Sequence, residues 1–271
     1  MKNKTLLIWN LFSLIIFIIG FNLIGTLFKF PFVKTPLFHL ILLGLPVILL
    51  IFHAIEVLGF FQGILFIFLS SFVGWLMETW GLMGGTFFGG TYIYEKNQPT
   101  LGIVPLSVVL YWAVFIYTGY SLVNSFLYWL GKEIPNIKNK KILLLPALII
   151  FDGLVVTAID LFMDPIQVKA GAWIWIEGGA YFGVPVGNFV GWFIVTVIVT
   201  GIFRTINYFT KSKNKFDKKI LLIPVWTYII LSVSFTLSAI KYEMFSFALL
   251  GSLLMLPPAL INLLLYFKKN E

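Results

Sequence analysis

The chain has 271 residues, of which 60% are hydrophobic and 11% charged, and its mean hydropathy is +0.99. Soluble domains are about half apolar and a quarter charged, so this composition excludes a water-soluble enzyme, a disordered chain, a collagen and a disulfide scaffold. With no Cys, thiolate metal sites, iron–sulfur clusters and thiol catalysis are excluded as well.

A membrane-spanning helix needs about 20 apolar residues, and eight such stretches follow one another at 6–27, 37–57, 59–80, 105–130, 142–163, 185–209, 220–240 and 245–267. The first follows Met1–Lys4 as a signal peptide would. It is long, however, and lacks a small-residue cleavage site, so it reads as a retained span. The second and third run together over a length too great for one crossing, which places a tight turn within His53–Gln62. Segments 81–104 and 164–184 are rich in Gly and aromatic residues and longer than ordinary connectors, a sign of function. The expected fold is an all-α integral membrane protein, a bundle of about eight transmembrane helices with seven as the alternative. It forms one domain over 1–271.

The positive charges orient this bundle. With eight spans and the N-terminal side inside, 14 of the 19 Lys and Arg residues fall on inside segments, among them Lys132, Lys138, Lys140, Lys141, Arg204 and the run Lys211–Lys219. Only Lys29, Lys34, Lys96, Lys169 and Lys241 fall outside. This asymmetry puts both termini in the cytoplasm of a multi-pass protein of the plasma membrane. The net charge of +8 then reflects loops facing an anionic leaflet, and no nucleic-acid partner is implied.

Two short patterns recur. Val104-Pro105, six residues and Trp112 return 80 residues later as Val184-Pro185, six residues and Trp192. Lys140-Lys141-Ile142-Leu143-Leu144-Leu145-Pro146 returns 78 residues later as Lys218-Lys219-Ile220-Leu221-Leu222-Ile223-Pro224. Tyr92-Ile93-Tyr94 precedes the first Val-Pro much as Trp173-Ile174-Trp175 precedes the second. Each unit reads as a helix ending in an acid, a Gly/aromatic loop and a helix started by Pro, which suits a first turn. Two helices per unit make this a parallel repeat. Chance recurrence in so biased a composition is the alternative.

Carboxylates in spans are costly, about 2.5–3.5 kcal/mol each at mid-bilayer on insertion scales. The chain places Glu56, Glu78, Asp152, Asp160 and Asp164 in or at the ends of spans. At about 100° per helical residue, Asp160 and Asp164 share a face, about 40° apart, and Asp152 lies about 80° away and two turns deeper. Glu78 holds the equivalent place in the first repeat. One reading makes Asp164-Pro165 a helix end and pairs Asp160 with an interfacial Lys or Trp. The other is a cluster of carboxyl groups at one depth. A carboxyl in an apolar pocket holds its proton more tightly and can act as a general acid at neutral pH.

Trp80, Tyr92, Tyr94, Trp173, Trp175 and Tyr181 gather around these acids. They make either an outer-leaflet belt or a pocket whose ring faces stabilise a cation. Asp160-x3-Asp164 resembles half of a magnesium–diphosphate site, as in membrane prenyltransferases, but no second Asp-rich motif and no basic cluster accompanies it. His39 and His53 are isolated. The glycines of 81–90 do not form a nucleotide loop, and no Ser/His/Asp triad can be assembled. No metal and no cofactor is expected.

Two motifs carry a resemblance. The first is Glu78, then Gly85-Thr86-Phe87-Phe88-Gly89-Gly90-Thr91-Tyr92-Ile93-Tyr94, Val104-Pro105-Leu106 and Trp112. The second is Asp160-Leu161-Phe162-Met163-Asp164-Pro165, Trp173-Ile174-Trp175, Gly179-Ala180-Tyr181-Phe182-Gly183-Val184-Pro185 and Asn188-Phe189-Val190-Gly191-Trp192. Together, over about residues 75–200, they resemble the membrane carotenoid biosynthesis family that includes bisanhydrobacterioruberin hydratase and gamma-carotene hydratase. The resemblance implies addition of water to a terminal isoprenoid double bond of a long polyene, embedded with the enzyme in the bilayer. In that chemistry Asp160 or Asp164 is the acid, Glu78 its partner, and Asn188, Tyr94 and Tyr181 are candidates to orient water or a carboxyl. Trp80, Tyr92, Trp173, Trp175, Trp192 and Asp152 complete the expected substrate site. A carotenoid cyclase, which also begins by protonating an alkene, and a small-molecule transporter are the alternatives. No soluble partner is implied, and the oligomeric state is not legible.

Overall fold

The computed structural model describes residues 2–95, 98–132, 141–210 and 216–270. Among them, eight helices are long and apolar enough to cross a membrane. They are α1 (Lys2–Leu27), α2 (Pro36–Leu58), α3 (Phe60–Gly84), α4 (Leu106–Trp129), α5 (Leu145–Ala170), α6 (Val186–Phe209), α7 (Leu222–Lys241) and α8 (Phe245–Asn270). The protein is therefore an all-α, multi-pass membrane bundle. Lys96, Lys138, Lys140, Lys211, Lys213 and Lys215, which carry part of the charge asymmetry, lie outside the described residues.

Local chemistry sets the breaks. Thr35 caps α2, its hydroxyl accepting from the Phe38 N–H with Pro36 in the first turn. Gly59 makes the expected turn between α2 and α3 at φ 92° and ψ 160°, a conformation that side chains resist. Ile142–Leu144 and Lys218–Leu221, the two copies of the Lys-Ile-Leu pattern, each form one 3₁₀ turn that leads into a long helix.

The fifth span differs from expectation. It does not stop at Asp164-Pro165 but continues to Ala170, where Gly171 caps it at φ 79°. Proline removes one backbone bond, and within a membrane bundle its neighbours tolerate that loss. Asp160 and Asp164 thus sit in the body of a helix rather than at its end.

α4 is the central post, packed against α2, α3, α5, α6, α7 and α8. The outward faces are apolar, with Phe17, Phe61, Phe68 and Leu264 all more than half exposed, as a lipid solvent requires. His53 ties the inner half together: its Nε2 meets the Ile220 carbonyl at 3.0 Å and its Nδ1 the Tyr117 hydroxyl at 2.8 Å. The first contact fixes the proton on Nε2, so Tyr117 donates to Nδ1.

Two short antiparallel ribbons cover the loop face, which the charge pattern assigns to the outside. β1 (Tyr92–Tyr94) pairs with β4 (Trp173–Trp175) in the register Tyr92↔Trp175, Ile93↔Ile174 and Tyr94↔Trp173, and β2 (Thr100–Leu101) pairs with β3 (Val104–Pro105). The two segments recognised as repeats are thus each other's partners, crossed about Ile93 and Ile174. α3 packs on α6 as α5 packs on α4, and Trp112 and Trp192 lie 4.1 Å apart between centroids at 30°. These pairings are the ones expected of the parallel repeat read from the sequence.

Asp152 is not part of the outer acid group. It is fully buried in the inner half, where Arg204 Nε and Nη2 bind its two oxygens at 2.6 and 2.7 Å. Arg204 Nη1 also reaches Asn124 Oδ1 at 2.9 Å, and the guanidinium lies 4.5 Å from the centre of the Tyr120 ring. Arg204 is accordingly a buried ion-pair partner and not one of the loop charges. Arg204→Met should cost about 3–5 kcal/mol by stranding a buried carboxylate. Asp152→Leu with Arg204→Met should recover most of that loss, as read from thermal unfolding of the solubilised protein.

Candidate active site

A carboxylate oxygen in a hydrocarbon-like interior needs donors, and the chain supplies them from the outer loops. Glu78, in α3, is 4% exposed. Its Oε2 accepts from the Tyr92 and Tyr94 hydroxyls at 2.7 and 2.8 Å, and its Oε1 from the Trp112 indole N–H at 3.1 Å. Three donors and no acceptor is the pattern a carboxylate takes. Burial, and next the adjacent Glu78, push the Tyr92 and Tyr94 phenols well above their ordinary range, so both remain donors.

Trp112 reaches Glu78 because Gly74 lies one turn below it on α3. A Cβ at Gly74 would fall 2.3 Å from the Trp112 ring. The glycine is therefore a seat for the indole.

Asp160 and Asp164 form the second half of the cluster, and Asn188 of α6 clamps them. Its amide nitrogen donates to Asp160 Oδ2 at 2.7 Å and to Asp164 Oδ2 at 2.6 Å. The Trp173 indole N–H donates to Asp164 Oδ1. Every carboxylate oxygen of the three acids is then occupied except one: Asp160 Oδ1 is buried and has no hydrogen-bond partner.

The three acids and Asn188 line a cavity of about 530 Å³, within the usual range for small-molecule sites. Tyr92, Tyr94, Trp173, Trp175 and Trp192 line it too, as do Trp112, Tyr111 and Phe115 of α4. Its outer mouth is polar, with Glu95, Gln98, Ser107 and Gln167, and its side toward α2 and α7 is formed by Leu43, Leu231 and Phe235 with His39.

The structure thus brings together nine of the twelve residues expected from the sequence: Glu78, Tyr92, Tyr94, Asp160, Asp164, Trp173, Trp175, Asn188 and Trp192. Trp80 is not with them. It is 54% exposed and stacks on Phe87 at 5.3 Å, the position of an interfacial belt residue. Tyr181 packs edge-on against Phe182, Phe189 and Phe247, away from the cavity lining. Asp152 is committed to Arg204. Trp112 was visible as half of the Val-Pro-x6-Trp repeat, whereas the lining residues from α2 and α7 carry no motif.

A polytopic membrane protein with a carboxyl cluster in an aromatic cavity is the class so defined. The sequence model of the family described as carotenoid biosynthesis protein matches residues 38–258, and the chain belongs to that family. The match extends from α2 into α8, well beyond the motif-bearing stretch. No curated protein and no solved structure matches the chain. Membership assigns it a role in carotenoid biosynthesis, and its eight apolar helices fit a carotenoid substrate in a lipid environment.

Gly74→Ala should destabilise the protein by about 1–3 kcal/mol, the usual cost of overpacking, because Trp112 must leave its seat. Gly84→Ala, whose new Cβ would meet nothing nearer than 3.9 Å, is the matched control in the same helix and should leave the unfolding midpoint unchanged.

Proposed function

We propose that the protein is a carotenoid hydratase, a hydro-lyase that adds water to a terminal isoprenoid double bond of a long polyene without a cofactor. Its substrate is of the lycopene, gamma-carotene or bisanhydrobacterioruberin type. Residues 1–271 act as one transmembrane domain, in the plasma membrane. The observation that carries this reading is Asp160, a lining residue of a cavity walled by aromatic rings, whose Oδ1 is the one carboxyl oxygen of the three clustered acids without a hydrogen-bond partner.

On this reading Asp160 is the general acid. Its proton goes to the less substituted carbon of the terminal alkene, leaving a tertiary cation on the neighbouring carbon. The faces of Trp112, Trp175 and Trp192 and the Glu78 carboxylate stabilise that charge. Water from the polar mouth at Gln98 and Ser107 attacks the cation. The water loses a proton to Asp164, which Trp173 and Asn188 hold in place. The net change is addition of one water, and return of that proton to Asp160 closes the cycle.

General acid catalysis contributes about 10²–10⁴-fold, and Asp160→Asn should lose activity on that scale. The test is expression in a bacterial host that makes lycopene, followed by chromatography with mass detection of the pigments. Products heavier by one or two waters with the wild type, and their loss with Asp160→Asn, are expected. An isomer of unchanged mass would replace hydration with cyclisation. Full activity in both Asp160→Asn and Asp164→Asn would overturn the assigned roles. The transporter alternative called for helices broken at mid-membrane, and each of the eight described spans is one continuous helix.

A further inference from the structure

We propose that the polyene reaches the acids sideways from the outer leaflet, through a cleft between α2 and α7 bounded by Leu43 and by Leu231 with Phe235. The identity of the occupant rests on the reading above; the cleft itself follows from how the helices pack.

In the inner half of the bundle, α1 bridges α2 and α7. Leu45 and Leu49 of α2 share one apolar cluster with Ile223 and Ile230 of α7, and Ile8, Phe12 and Ile15 of α1 pack over the seam. Toward the outer face this changes. His39 and Leu43 of α2 and Leu231 and Phe235 of α7 all line the acid-bearing cavity, so the space between the two helices belongs to it. α1 contributes no described residue to the lining. Leu43 is 42% exposed although it faces a cavity that holds three carboxyl groups.

Aromatic rings pack along the other walls. The Trp112–Trp192 stack and the buried Phe88 fill the side toward α3 and α6. Phe162 meets Phe235 at 5.8 Å and Phe247 at 5.5 Å, sealing the side toward α8. β1 and β4 lie across the top. The opening toward water is flanked by Glu95, Gln98 and Ser107, and passage there would put a long apolar chain into water. A route from the lipid avoids that exposure. It also leaves the polar mouth to the second reactant, so polyene and water arrive through different openings.

The chain has no cysteine, so Leu43→Cys with Leu231→Cys supplies the only thiols. The double variant is joined in membranes by a flexible bis-methanethiosulfonate reagent, with linkage read from the intact mass. Two readouts follow: water-adduct formation, and co-purification of lycopene added after linking. Both should be lost on linking and return when the link is reduced. Leu49→Cys with Ile223→Cys, on the inner side that α1 covers, should keep both when linked. Leu43→Trp, which fills the cleft without a reagent, should also lower pigment uptake while the unfolding midpoint holds.

Linked protein that takes up and converts pigment at the unlinked rate would overturn the cleft. Absence of a water adduct in every sample, together with link-dependent pigment uptake, would instead overturn the hydratase reading and keep the cleft.

Discussion

Asn188 has two amide hydrogens, and each goes to a different aspartate. Because buried carboxyl oxygens need donors, this decides what the acid cluster can be. One oxygen of each aspartate is fixed by the same amide, Trp173 takes the third, and the fourth is left buried without a partner. Much of the outer half of the molecule serves this distribution of donors. The crossed β1–β4 ribbon holds Tyr92, Tyr94 and Trp173 above the acids, and α6 begins at Val186 so that Asn188 faces α5 from its first turn. The continuation of α5 through Pro165 keeps Asp160 and Asp164 on one helical face.

The matching segments of the two motifs surround the acids unequally. Related halves contribute Trp112 and Trp192, β1 and β4, Glu78 and Asp160. The tyrosine pair and Trp112 fill every position on Glu78, while the other half uses a single asparagine for two carboxyl groups and is one donor short. On the hydratase reading, that shortfall makes Asp160 the reactive group and Glu78 the fixed charge. Differentiated surroundings for neighbouring carboxyl groups are the general device for separating acid from counter-charge.

Much of this was legible in the sequence because hydropathy and rare charges are strong signals in a membrane chain. The eight spans, the turn near Gly59, the outer acids and the ribbon segments were all readable. What was not readable depends on partners remote in sequence. Arg204 looked like a loop charge because it lies near the positive run that follows α6, and only the approach of α5 shows that Asp152 claims it. Asp164-Pro165 resembled a helix end because proline usually breaks helices in water, a rule that weakens where neighbouring helices enclose the backbone. Trp80 clustered with the site in sequence but faces lipid, since adjacent helical positions point in different directions. Leu43 and Leu231 bear no mark of function at all, because a wall made of leucine differs from a core only in what lies on its other side.

The Asp152–Arg204 pair also bears on how the chain enters the bilayer. Each residue alone is a charge in a span, at about 2.5–3.5 kcal/mol on insertion scales, and the two sit on consecutive helices of opposite direction. α5 emerges first and carries its aspartate with no cation yet in reach. The partner arrives only when α6 follows, on the far side of the loop that contains Trp173 and Tyr181. The two helices are thus coupled: the cost that Asp152 adds to α5 is offset only when α6 sets Arg204 beside it.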